Sequence, residues 1–313
     1  MKDSFTPSDL NAVLVRELIK EKRSDRRWKN FRFFIVLLII IFLMWSFSGT
    51  NEMTTLYGEG GKGYVALIQL EGNIGSGESF SADQVIPQLK SAFSDREAKG
   101  VILDIDSGGG SPVQSAIIHD AILGFKKKYH KEVIVVGEDT LASGAYYVAV
   151  SADKIYVNPN TITGSIGVAM KGFGFPELLK KVGIERRVYI SGSNKDRLDM
   201  FLPQTKEDQD KVNSIINEVH QNFNQVVLEG RKGKLTAPPE SLFTGDFWSG
   251  QSALKLGLVD GLGNVSDVMQ KEFKVNHYKD YSRASSSLLK SLVGPIGSSL
   301  GLNDKHIKMS AEI

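Results

Sequence analysis

Three short apolar runs, Tyr64-Val-Ala-Leu-Ile-Gln-Leu70, Val101-Ile-Leu-Asp-Ile105 and Glu132-Val-Ile-Val-Val136, alternate with longer stretches of helical character. That alternation leaves the chain few architectures. Runs apolar on both faces belong to strands buried on both sides. Segments long enough for covering helices follow at residues 82–97, 112–130 and 143–152. Lys154–Val157, Gly164–Val168 and Arg187–Ile190 read as further extended segments. Thr205–Gly230 reads as a long helix, with Thr205-Lys-Glu-Asp as an acidic start and Gly230 as a stop. This rhythm implies an α/β domain of mainly parallel strands, covering helices and right-handed crossovers. The expected domain is 63–278. Residues 279–313 are a Ser- and Gly-rich tail, apolar-periodic only around Leu288–Val293.

A different signal precedes the domain. No residue from Phe33 to Asn51 is charged, and Phe33–Phe47 is apolar apart from Ser46. About 19 helical residues at ~1.5 Å each cover about 28 Å, close to the hydrocarbon thickness of a bilayer. Residues 1–32 hold nine Lys/Arg and five Asp/Glu, a net of +4, which leaves −2 for the rest of a chain whose total is +2. The basic flank on one side alone predicts a single transmembrane helix over 33–51 with residues 1–32 in the cytoplasm. Trp28 and Trp45 stand near the two expected interfaces, and 52–62 reads as a tether. A core helix is rarely apolar on every face. The charged leader is also long for a cleaved signal peptide, although Ser46-Phe-Ser48 has the small-x-small form. The domain behind this anchor is expected on the extracytoplasmic side.

Composition removes several chemistries. With no cysteine among 313 residues there is no thiol nucleophile, no Cys-ligated zinc, no iron–sulfur cluster and no disulfide. The confinement of the basic excess to residues 1–32 argues against nucleic-acid binding.

Two glycine-rich turns follow strands. Asp106-Ser-Gly-Gly-Gly-Ser-Pro112 exposes backbone N–H groups beside a helix start, as an anion site requires. It lacks the Gly-Lys-Ser/Thr ending of a phosphate loop and also serves as a plain tight turn. In the second, Gly137–Tyr146, Ser143 follows an apolar strand and opens a small-residue helix, so that Gly144 N–H can stabilise an oxyanion forming beside its hydroxyl. A serine nucleophile needs a base. The next histidine after Ser143 is His220, far along the long helix, so the stretch adjoining the serine has no imidazole; a Ser-His-Asp triad stays open but weak. Lysine is the remaining base, provided burial disfavours its charged form. Lys154 and Lys171 flank strands. Lys195 stands out because it follows Tyr189-Ile-Ser-Gly-Ser-Asn, an extended run entering a small-residue loop.

Asp106-Ser-Gly-Gly-Gly110, Leu141-Ala-Ser-Gly-Ala-Tyr-Tyr147, Thr163-Gly-Ser-Ile-Gly-Val168, Ser191-Gly-Ser-Asn-Lys-Asp196 and Gly257-Leu-Val-Asp260 stand in an order that resembles the signal peptide peptidase A family, the serine–lysine membrane proteases of family S49, in their short single-repeat form. The resemblance covers about residues 63–275 plus the anchor. It implies a ClpP/crotonase-like α/β fold of repeated ββα/βαβ units. Ser143 corresponds to the nucleophile and Lys195, 52 positions on, to the general base. Gly110 and Gly144 correspond to the oxyanion-hole amides, and Ser165 to a hydroxyl that orients the lysine amine. No cofactor and no metal is implied. One departure stands out: Gly108 occupies the place where the family has proline. The resemblance further implies a homo-oligomer at the cytoplasmic membrane, in contact with lipid, with inward-facing sites that take extended apolar peptides such as remnant signal peptides. In short forms the lysine can reach the serine of a neighbouring protomer. The alternatives are a related protease that cuts a membrane protein, a crotonase-like acyl-CoA enzyme, or an inactive peptide-binding homologue.

Overall fold

A computed structural model describes residues 31–39 and 63–282. The described residues lie in two units, divided between Thr55 and Leu56. In the first, residues 31–39 form a helix, α1, with exposed side chains and the Phe33 and Phe34 rings edge to face at 6.3 Å. Among the described residues no helix is long and apolar enough to cross a membrane. Residues 40–51 of the expected span lie outside the described residues, as do 1–30, the tether 52–62 and 283–313.

The second unit is an α/β fold around one eight-stranded sheet. In chain order it runs β1 (Tyr64–Glu71), α2 (Ala82–Ser94), β2 (Ala98–Ser107), α3 (Pro112–Tyr129), β3 (Val133–Ala142), α4 (Gly144–Ala149), β4 (Lys154–Val157), β5 (Ile162–Gly164), α5 (Pro176–Lys181), α6 (Lys206–Gly230), α7 (Pro239–Leu242), β6 (Phe247–Ser249), α8 (Gly250–Lys255), β7 (Gly261–Leu262), α9 (Val265–Val268) with a π-helical turn Met269–Phe273, and β8 (Tyr278–Asp280). The main path is β6-β5-β3-β2-β1-β8, with β4 pairing β3 and β7. All pairs are parallel except β5 with β6.

The apolar runs do form strands buried on both faces. Val101, Leu103, Ile105, Val133 and Val135 face the larger core beneath the helices, whereas Ile102, Ile134 and Val136 face a smaller one built with Val268, Met269 and Phe273. β3 exceeds the expected run by six residues. Its first half, Ile134–Gly137, pairs with β4; after a register shift against β2 between Ile105 and Ser107, its second half, Thr140–Ala142, pairs with β5. The Asp106 carboxylate accepts the Thr140 N–H (2.9 Å) at this irregularity and holds the strand on course. Arg187–Ile190, expected to be extended, is in no strand, and beyond Gly164 the segment 165–168 is irregular too. At the other end the sheet continues into the expected tail: Tyr281 N–H donates to Leu67 O (2.8 Å) and Gln69 N–H to Ser282 Oγ (2.7 Å).

Helix α6 starts as its sequence requires, with Thr205 and Asp208 closing a reciprocal capping box. At its far end Arg231 is 2% exposed, its guanidinium donating to Gly257 O (3.0 and 2.7 Å) and Asp260 Oδ2 (2.6 Å). Asp260 also accepts from Lys234 (2.9 Å) and Ile155 N–H (2.8 Å). Burial works against the ionised Asp260, but the Arg231 and Lys234 bonds outweigh it and hold the carboxyl below its ordinary range. From α4, the buried Tyr146 hydroxyl donates to Leu258 O (2.7 Å). Gly257-Leu-Val-Asp260 is therefore a socket that seats α6 and α4 together.

Two outcomes follow from buried charge. Asp260→Asn leaves the Arg231 guanidinium without its counter-ion and should cost about 3–5 kcal/mol in denaturant unfolding. On the opposite face, burial and the neighbouring Glu138 carboxyl push Asp104 from 3.8 up to about 7. A carboxyl that holds its proton more tightly when folded favours folding most below its unfolded value, and that contribution is lost as pH rises through 7. Asp104→Asn should therefore stabilise the protein by roughly 1–3 kcal/mol at pH 8, with the gain shrinking as pH falls to 5, read from unfolding midpoints.

Candidate active site

Two chain reversals at the sheet's C-terminal edge build the site. Where β3 ends, Ser143 takes φ 53° and ψ −123° before α4 begins. A serine there costs on the order of 1–3 kcal/mol and persists only when its surroundings impose it. They do: Ser143 N–H donates to Gly164 O (2.8 Å) at the end of β5, and Ser143 O accepts Tyr147 N–H (2.9 Å) in the first turn of α4.

The second reversal follows β2. Gly109 and Gly110 have φ of 97° and 148°. Ser107 Oγ donates to Gly72 O (2.6 Å) and accepts Gly109 N–H (3.1 Å). A bridge to Ile74 uses the Gly109 carbonyl (2.9 Å) and the Ser111 N–H (2.7 Å), and so does not consume the Gly110 N–H. This turn lies directly on the serine. A Cβ on Gly109 would come 2.5 Å from Gly144 N and 2.8 Å from Ser143 Cβ; one on Gly110 would come 2.2 Å from Ile74 O. A Cβ on Gly144 would lie 2.6 Å from Ser115 Oγ and 3.1 Å from Gly110 N. Gly110 and Gly144 N–H thus sit in one cluster beside Ser143, and the latter, in the first helical turn, has no intrahelical acceptor.

The cluster opens on a cavity of about 800 Å³, lined also by Ser165, Lys171, Tyr147, His220 and Phe223. Ser165 is a second strained serine, with φ 50° and its N–H on Asp246 O (2.8 Å). Four of the five expected site residues, Ser143, Gly144, Gly110 and Ser165, therefore share one cavity. Lys195 does not line it: it is exposed in a turn whose Arg197 binds Asp208 and Glu207 at the start of α6 (2.8 Å each). Of the other lysines considered, Lys171 lines the cavity, whereas Lys154 pairs with Glu272, whose hydrogen bond raises its pKa and keeps it charged. The sequence also placed His220 too remotely; α6 carries its ring to the cavity wall.

The pattern of peptidase family S49 matches residues 125–277. A protein of Enterococcus faecium provisionally named signal peptide peptidase SppA is 31% identical over 242 residues, covering 73% of this chain and 70% of that one. The chain belongs to peptidase family S49. Protease 4 of Haemophilus influenzae is 33% identical over 221 residues, 69% of this chain and 35% of that protein. The Na+/H+ antiporter NhaA of Brucella abortus is 42% identical over 214 residues, 67% of this chain; the chain spans only 29% of that relative's length.

At the Gly108 departure the backbone makes no demand that only glycine meets, whereas Gly109 and Gly110 do, with φ of 97° and 148°. A Cβ on Gly108 meets nothing within 4 Å, and its φ is not in the left-handed range. Gly108→Ala should keep the cavity and add about 0.4–1 kcal/mol of stability by restricting the unfolded chain. Gly110→Ala should displace the turn from Ile74 and abolish labelling of Ser143 by a serine-directed phosphonate. Unfolding curves and the rate of labelling distinguish the two variants.

Proposed function

We propose that the chain is a membrane-anchored serine endopeptidase that hydrolyses remnant signal peptides and other extended apolar peptides through an acyl-enzyme. The observation that carries this reading is Ser143, held at φ 53° with the Gly110 and Gly144 N–H groups clustered beside it. Membership of family S49 supports it, as does the name of the Enterococcus relative. The uncharged run 33–51 behind a basic flank supports the anchor, with the catalytic domain on the extracytoplasmic face of the cytoplasmic membrane and a ClpP/crotonase-like arrangement of the α/β units.

In this reading a neutral Lys195 amine takes the proton from Ser143 Oγ as the oxygen attacks the scissile carbonyl carbon. The oxyanion is held by Gly110 and Gly144 N–H. Lysine returns the proton to the leaving amine as the C–N bond breaks, and water, deprotonated by the same amine, hydrolyses the ester. Ser165 orients the amine. Because Lys195 does not line its own chain's Ser143 cavity, the base is delivered by a neighbouring copy in a homo-oligomer. Exposed large side chains in the same stretch of chain, Phe173 at 81% and Tyr189 at 92%, suit such a contact.

A second reading rests on Lys171, which lines the Ser143 cavity in the same chain and could serve as an internal base. Detergent-purified full-length protein with a synthetic apolar signal peptide separates the two. Lys195→Ala should lower cleavage about 10²- to 10⁴-fold and Lys171→Ala far less. Mixing inactive Ser143→Ala with inactive Lys195→Ala should restore part of the activity, since mixed contacts pair one intact serine with one intact lysine. Loss with Lys171→Ala and retention with Lys195→Ala would move the base to Lys171.

A further inference from the structure

The Ser143 cavity contains a group that neither the nucleophile nor the oxyanion donors explain. Five buried side-chain polar atoms lack a hydrogen-bond partner among the described residues, and only one of them, His220 Nε2, belongs to a residue lining this cavity. One turn on, Asn224 Oδ1 is a second such atom, at the i+4 spacing that places two side chains on one helix face. A buried polar atom left unpaired is costly, and such atoms in a folded protein call for a reason.

The position of His220 supplies one. It lies mid-way along α6, where every backbone N–H and C=O is committed to intrahelical bonds. The helix can therefore offer the cavity side chains but no main-chain partners. Hydrogen bonding to a peptide backbone falls instead to the irregular segments at the sheet edge, those carrying Gly110, Ser165 and Gly245. What α6 builds is a side-chain subsite. Along α6 the lining is Val219, His220, Asn222 and Phe223, and Tyr147 of α4 packs its ring on Phe223 at 5.2 Å, so that apolar side chains flank the histidine in sequence and Asn222 is the one other polar side chain the helix brings to the cavity. An apolar guest would fill this space but leave Nε2 without a partner.

We propose that His220 is a specificity-determining residue: its Nε2 hydrogen-bonds an uncharged polar side chain, a hydroxyl or carboxamide, at one position of an otherwise apolar peptide. A neutral imidazole nitrogen is either donor or acceptor according to its tautomer, and hydroxyls and carboxamides satisfy both. A guest lacking that group is rejected because the site's own polar atom stays buried and unpaired. This inference rests on the peptidase reading and narrows its substrate class.

The test reads binding apart from catalysis. Full-length Ser143→Ala protein in detergent is titrated with fluorescent apolar peptides. They carry shape-matched Thr/Val and Asn/Leu pairs at successive positions. At one position the polar member should bind roughly 3- to 10-fold more tightly, the worth of one hydrogen bond. Adding His220→Phe should erase that ratio and His220→Gln should keep part of it; His220→Leu replaces the Phe variant if that one fails to fold. Equal binding of both members at every position, no peptide binding at all, or a preference that survives His220→Phe and His220→Leu overturns the proposal. Failure of the peptidase reading shows separately, as wild-type protein that neither cleaves these peptides nor reacts at Ser143 with a phosphonate.

Discussion

The close approach of the Gly109–Gly110 turn to Ser143 and Gly144 is the constraint on which the rest of the site depends. Backbone from two consecutive βα units meets with no room for a Cβ on Gly109, Gly110 or Gly144. Such contact requires β2 and β3 to end level with one another, and they do so because the register shift after Ile105 brings Ser107 opposite Leu141. It also requires β3 to pass beyond its pairing with β4 and turn toward β5, the purpose served by the irregularity near Asp106. The strain at Ser143 follows from this geometry: the strand must reverse into α4 while its last N–H is still held by Gly164 O. Stability is thereby exchanged for a half-buried hydroxyl beside fixed N–H donors, the arrangement that the proposed mechanism uses without reorganisation as charge develops.

The socket Gly257–Asp260 extends this rigidity to the cavity wall. Tyr146 of α4 and Arg231 at the end of α6 are both tied to it. The helix that begins at the serine and the helix that presents His220 therefore share one anchor, and movement of either relative to the other breaks a buried hydrogen bond. Gly257-Leu-Val-Asp260, which the sequence offers only as one of the motifs of the family resemblance, is architecture, and its effect on the site is exerted through the placement of α4 and α6.

Much of this was legible in the sequence because it is local. The strands at Tyr64, Val101 and Val133 announce themselves by apolar runs, α6 by its Thr205 start, the glycine turn by three consecutive glycines, and Ser143 by its place between an apolar strand and a small-residue helix together with the family resemblance. What was not legible depends on pairing or rotation over long distances. Arg187–Ile190 has strand-like composition, but it finds no neighbouring strand, and composition alone does not make a ladder. β3 outran its apolar run because Asp106 and β5 supply partners to Thr140–Ala142. His220 is 77 residues from Ser143, and its arrival at the cavity is fixed by the rotation of α6 about its axis. A heptad-level reading could have flagged it: His220 falls on the flank of the stripe containing the buried Phe223 and Val227.

The position of Lys195 bears on how such a site could be switched on. An amine acts as a general base only where burial disfavours its charged form. Lys154 shows the opposite arrangement, an amine kept charged by Glu272. Lys195 stands exposed on a turn pinned to α6 through Arg197, in a segment whose large apolar side chains face outward. In the proposed mechanism, docking of a second copy performs two tasks in one step. It covers the apolar segment, and it carries the lysine from solvent into a neighbouring cavity where desolvation favours the neutral amine that can take a proton. A lone chain would then hold a prepared nucleophile without a base, so peptide hydrolysis would be confined to the assembled protein.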